Sequence, residues 1–178
     1  MKITAFEIPI FKYKVSEWQI KKKKLLDLFD SFDNQIVGNV ITSPIFYKTD
    51  IFSEEMHLFE KEVNLKLKID NIWFQKYETK MDHGVHNHGS STFSSVCFIE
   101  YEKNFHSPTI FVSPFTNNIT NEFITYAPNV EEGDIIFFPS NLLHYAPPNF
   151  SDKHRTIISF NLLIDNINEN KIKYNYSC

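Results

Sequence analysis

Arginine is almost missing from this chain. Arg155 is the only one among 18 basic residues in 178. Glycine is nearly as scarce, with four residues, and there are only two cysteines, Cys97 and Cys178. Two cysteines cannot build a disulfide framework, so a reducing compartment is expected. No stretch approaches the roughly 18 apolar residues of a membrane span. The opening MKITAFEIPIFKYK has no basic segment leading into a long apolar one. No signal peptide is therefore expected, and a cytoplasmic address is. There is no GxGxxG, no P-loop and no strand–helix–strand alternation, which excludes a Rossmann-type nucleotide fold. The net charge of −4 argues against nucleic acid as the main partner.

What is present is apolar and aromatic: 42% and 16% of the chain, enough for a globular core in one domain spanning 1–178. Ile3 to Phe11 reads as an edge strand interrupted by Pro9. Ser16 to Gln19 has capping-box spacing and predicts a helix over 17–32. Lys21 to Lys24 reads as its solvated face. Ile36 to Ile41 is extended. Ser53, Glu54 and Glu55 open a second helix with an apolar stripe at Met56, Phe59, Val63 and Leu67. Beyond residue 70 the period becomes two. Strands are expected near 70–77, 92–101, 109–112, 122–126, 134–138, 141–145 and 155–164, separated by Gly, Pro and Asn turns. That pattern predicts a mostly β (α+β) chain built on an antiparallel sandwich or barrel. The helical part is 1–69, the β core 70–164, and 165–178 a peripheral tail.

Three features point to chemistry. His86 and His88 flank Asn87. On a strand they project to one side about 7 Å apart, a spacing that suits two imidazoles on one metal ion. Gly84 and Gly89 on either side suggest sharp backbone bends. His144 follows FFPSNLL where a strand ends, so a rigid element would carry it. Arg155 opens the strand RTIISFNLL, on which Arg155, Ile157, Ser159 and Asn161 share a face too polar for an ordinary core. An inward arginine needs a partner: Asp152 or Asp134, or a bound dicarboxylate. His83, His57 and His106 read as bystanders. Phe74, Phe93, Phe137 and Tyr145 are candidates for pocket lining or core.

The order HxH…H…R, with GDIIFFPSNLLH followed by RTIISFN, resembles the Fe(II)/2-oxoglutarate-dependent oxygenases, closest to their bacterial and phage prolyl-hydroxylase-like branch. The resemblance covers about residues 70–164, through Trp73, Tyr77, His86, His88, Ser94, Ser95, Gly133 to His144, and Arg155 to Asn161. It implies a double-stranded β-helix (jelly-roll, cupin-like) core with the N-terminal helices packed on one sheet. It implies Fe(II) held by His86, His88 and His144, with no catalytic residue beyond the metal site. Arg155 would take the distal carboxylate of 2-oxoglutarate, with Ser159, Tyr77 and Asn161 as further cosubstrate contacts. The implied reaction is a dioxygenase hydroxylation coupled to oxidative decarboxylation of 2-oxoglutarate to succinate. The substrate is open between a peptide or protein side chain and a small molecule. The branch reads H-x-H here, but the third ligand departs from the wider superfamily, whose usual motif is HxD or HxE where this chain has His88. Asp82 as a substitute ligand, or a site without His88, are the alternatives.

Two rival readings stand beside this one. A cupin-type metalloenzyme using three histidines without 2-oxoglutarate explains HxH but leaves Arg155 without an acid. A metal-free jelly-roll binding module predicts that the histidines diverge.

Overall fold

The computed structural model describes residues 7–165. In chain order the elements are β1 (Phe11–Lys14), α1 (Trp18–Asp30), β2 (Gln35–Val37), β3 (Val40–Thr42), α2 (Ser53–Val63), β4 (Leu67–Tyr77), β5 (His83–His86), β6 (Phe93–Glu100), β7 (Ile110–Thr116), β8 (Phe123–Tyr126), β9 (Asp134–Pro139), β10 (His144–Ala146) and β11 (Arg155–Ile164). They form two antiparallel sheets. The larger has the order β1-β9-β6-β11-β4-β3-β2 and the smaller β5-β10-β7-β8. This is the mostly β jelly-roll architecture expected, with the helices on one sheet.

Alternation within the strands sorts the core into two layers. Ile135 and Phe137, Phe74, and Ile158, Phe160 and Leu162 face one way and pack with Leu25, Phe29 and Phe59 of the two helices. Ile136 and Phe138, Val96, Ile157 and Tyr77 face the other way and meet Phe111, Leu142 and Ala146 at the smaller sheet. β9 reads as an unbroken apolar run because both of its faces are covered. Stacked rings add to the helix layer, with Phe59 and Phe137 centroids 4.4 Å apart and their planes nearly parallel.

Several local expectations need correction. The first strand starts at Phe11, where its ladder with β9 begins, and residues 7–10 are not in a strand; residues 3–6 of the expected strand lie outside the described residues, as does the tail from 166 onward. The capping box does not form. Glu17 sits in the left-handed region at φ 48° with no side-chain cap, and the Ser16 amide donates instead to Glu55 of α2 at 2.8 Å. A tertiary acceptor has displaced the local one. Glu55 is buried and also lies 3.5 Å from Lys21, while Lys22 meets Glu132 at 2.8 Å. Half of the lysine run therefore anchors the helix and only Lys23 and Lys24 are exposed. Gly38 at φ 63° makes the two-residue β2–β3 turn, and Gly133 at φ 79° is required because a Cβ there would lie 2.8 Å from Trp18.

Candidate metal centre

β5 and β10 are neighbours, and their register puts His86 directly opposite His144. Both side chains turn inward between the sheets. β5 ends at His86, so His88 is not on the same strand as expected; its backbone N–H donates to Ser140 O at 2.8 Å, and this pins the turn so that its ring swings back. The three rings lie 4.4 to 5.2 Å apart by centroid, and one nitrogen from each falls within 4.8 Å of the others. Nitrogens bound to one ion at about 2.1 Å lie no more than about 4.2 Å apart. Small side-chain rotations therefore close the set.

Two backbone carbonyls prepare the rings. His86 Nδ1 lies 2.8 Å from Gly84 O and His144 Nδ1 lies 2.8 Å from Leu142 O. A carbonyl only accepts, so in each ring Nδ1 carries the proton and Nε2 offers its lone pair. Burial pushes the His144 imidazole down to about 3 and the His88 imidazole to about 4, with the neighbouring histidines adding to both. Neutral, desolvated imidazoles with oriented lone pairs are the donor set that first-row divalent ions take. Among the described residues no carboxylate joins them. Asp82, the alternative third ligand, instead accepts from Asn39 Nδ2 at 3.0 Å. Gly84 and Gly89 have ordinary backbone angles, and a Cβ on Gly84 would meet nothing, so neither bend needs glycine.

Behind the histidines runs a narrow cavity of about 20 Å³. Ser159, Tyr77, Thr109 and Tyr145 line it with the three histidines. Arg155 is not on its wall. It lies one inward position beyond Ile157, opposite Tyr77 in the ladder, with its guanidinium 4.1 Å over the Tyr77 ring. It is 2% exposed, donates to Ser107 O at 2.8 Å and Pro147 O at 3.1 Å, and makes no ion pair with Asp152, Asp134 or any other described acid. Burial pulls its pKa below the ordinary value. Two carbonyls engage two of the five guanidinium N–H groups.

Asn161 is placed elsewhere. Its amide accepts from Ser94 and donates to Asn71, and it faces an outer groove and not the cavity. Phe74, Phe93 and Phe137 belong to the helix layer, while Phe138 and Tyr145 line the cavity. His83, read as a bystander, stacks 4.1 Å from His86 and lines the cavity. A chain of bonds ties it inward: Tyr77 Oη donates to Gln75 Oε1, and Gln75 Nε2 donates to His83 Nδ1, each at 3.0 Å. Gln75 is the residue that sequence reading missed. Its signal was its inward parity on β4, two positions from both Trp73 and Tyr77.

A family model described as "Putative 2OG-Fe(II) oxygenase" matches residues 71–161, just over half of the chain. A search of curated proteins finds no match by sequence. Among solved structures, a 2OG-Fe(II) oxygenase family oxidoreductase from Burkholderia pseudomallei is similar at TM-score 0.66 and 10% identity, covering 86% of this chain and 84% of that one. HygX from Streptomyces hygroscopicus, solved with nickel, 2-oxoglutarate and hygromycin B, is similar at TM-score 0.65 and 8% identity, covering 88% and 83%. A Pseudomonas putida prolyl-4-hydroxylase is similar at TM-score 0.62 and 8% identity, covering 89% and 94%. These likenesses concern the fold. Taken with the matched segment, which holds all three histidines and Arg155, they lead to one statement: this chain belongs to the 2OG-Fe(II) oxygenases, enzymes of Fe(II) and 2-oxoglutarate.

Proposed function

We propose that His86, His88 and His144 hold Fe(II) on one face, that Arg155 takes the far carboxylate of 2-oxoglutarate, and that the enzyme hydroxylates a substrate entering from the open side. The observation that carries this reading is Arg155, a buried charge with two carbonyl partners and no carboxylate, stacked on Tyr77, which lines the same cavity as the three histidines. An uncompensated buried guanidinium is costly, and a ligand carboxylate removes that cost. Bound together, Fe(II) and 2-oxoglutarate supply the oxidative chemistry, consuming dioxygen and releasing succinate and carbon dioxide. The protein does the rest. His86 and His144 present lone pairs fixed by Gly84 O and Leu142 O. His88 is the third donor where the wider superfamily has a carboxylate. Three neutral ligands leave the ion's full double charge, which the cosubstrate dianion balances. Ser159 and Tyr77 flank the cosubstrate's path. The apolar walls at Ile157 and Phe138 exclude water from the reacting centre.

Anaerobic addition of Fe(II) and then 2-oxoglutarate should give the visible metal-to-ligand charge-transfer absorption. Metal uptake without that absorption would favour a three-histidine enzyme that does not use 2-oxoglutarate. No helix among the described residues is long and apolar enough to cross a membrane. With Cys97 free and buried, we place the enzyme in the cytoplasm.

A further inference from the structure

An open groove of about 400 Å³ lies beside the cavity, and Trp73, Gln75, His83 and His88 line both. Whatever fills the groove therefore reaches the metal centre. Its lining has two characters. Val37, Val40 and Ile45, from the β2–β3 hairpin and the chain after it, are apolar; Asn71, Gln75 and Asn161 carry primary amides. No lysine, arginine, aspartate or glutamate lines it among the described residues.

The missing charge decides between substrate classes. A nucleotide or nucleic-acid strand binds chiefly through its phosphates, which need cations or a row of donors. A small charged metabolite would leave its charge unpaired. The amides fit another partner. Asn161 spends one N–H on Asn71 and accepts from Ser94, so its second N–H is left to pair with a ligand carbonyl. The groove is also open, whereas small-molecule sites enclose most of their ligand. Apolar surface continues past it, with Ile36 beside Val37 and Tyr47 beyond Ile45 exposed at 68% and 64%. β2 and β5, which both contribute to this region, end their respective sheets, so each has an edge free of strand pairing among the described residues. Strand edges recognise extended polypeptide.

We propose that the groove binds an extended polypeptide segment with uncharged side chains and presents one of them to the metal centre. The chemistry rests on the oxygenase reading; the binding does not. The test uses the full chain labelled with 5-fluorotryptophan and loaded with Ni(II) and 2-oxoglutarate. Of the two tryptophans, Trp73 lies in the groove, while Trp18 donates to Glu132 on the helix side. Their ¹⁹F signals are assigned with Trp18→Phe. The probes are pools of end-blocked decapeptides without charged side chains, matched pools with charged side chains, ATP and an oligothymidylate. The uncharged pool should move the Trp73 signal and leave Trp18 unmoved, and the other probes should move neither. Ile45→Lys, at a half-exposed position, should weaken the response about tenfold or more by placing a cation in the apolar wall. A Trp73 response to ATP, oligothymidylate or charged peptides at equal or lower concentration overturns the proposal. So does no response to millimolar uncharged peptide, or one that Ile45→Lys leaves unchanged. The charge-transfer absorption, read on the same protein with Fe(II), separates the two claims. Absorption without a peptide response sinks this inference alone; a peptide response without absorption sinks the oxygenase reading and leaves the groove assignment standing.

Discussion

The two faces of β11 differ in kind within one ten-residue strand, although Ile157 shares the face of the polar residues and Thr156 that of the apolar ones. Ile158, Phe160 and Leu162 face the helices in an apolar layer. Arg155, Ser159 and Asn161 alternate with them, are equally buried, and are polar or charged. Burying rings and branched aliphatics stabilises the fold. Burying a guanidinium without an acid opposes it. One face holds the sheet together, and under the proposed function the other would keep binding capacity ready at a cost in stability.

Substitutions on the two faces should therefore differ in kind. Phe160→Ala, which opens a cavity against Phe52 and Phe137, should destabilise the protein by ~3–5 kcal/mol in urea unfolding. Cosubstrate affinity of the fraction that remains folded should be unchanged. Arg155→Met should act the other way. It should weaken 2-oxoglutarate binding by about 2–5 kcal/mol, roughly thirtyfold or more in Kd by calorimetry, with metal uptake retained. The metal-free protein should be as stable as before or more so, because a desolvated charge is gone. Equal loss of metal and cosubstrate binding would make Arg155 a structural residue and end the contrast.

Acid should weaken the layer between the two sheets, which the polar face of β11 shares with the histidines. The folded-state values near 3 for His144 and 4 for His88 lie below the ordinary 6.5, so the unfolded chain takes up protons first as pH falls. Their contribution to stability is complete above pH 6.5 and is lost as pH falls from there through 4 and 3. Urea titrations of the metal-free protein between pH 7.5 and 4.5 should show that decline, and it should shrink in a His88→Asn, His144→Asn double variant. An unchanged slope would mean that other groups drive it. The smallest effect is expected for Ser159→Ala, ~0.5–1.5 kcal/mol in 2-oxoglutarate affinity if its hydroxyl meets the cosubstrate, and near zero if it only fills space.

Most of the strands were legible from period-two alternation and turn residues, because strand faces are written directly into residue order. RTIISFNLLI was read with the observed bounds, and its polar face was visible as a conflict with burial. β5 was missed because HGVH is short and carries no apolar alternation. The helix start was misread because Glu55, distant in sequence, took the Ser16 amide that a local cap would have used. Asn161 has the inward parity expected of it, but Ser94 and Asn71 engage its amide.

By itself the sequence determined the β class, the two N-terminal helices, and the four residues His86, His88, His144 and Arg155 as the ones to watch. Each follows from residue type, spacing or scarcity, which need no coordinates. Only the tertiary structure decided that β5 lies against β10, so that His86 opposes His144. It also decided that Ser140 O turns His88 back toward them, and that the β2–β3 hairpin borders the site. These depend on which strands become neighbours and on carbonyls supplied from far along the chain. Strand pairing is set by the packing of whole sheets, and no local pattern encodes it.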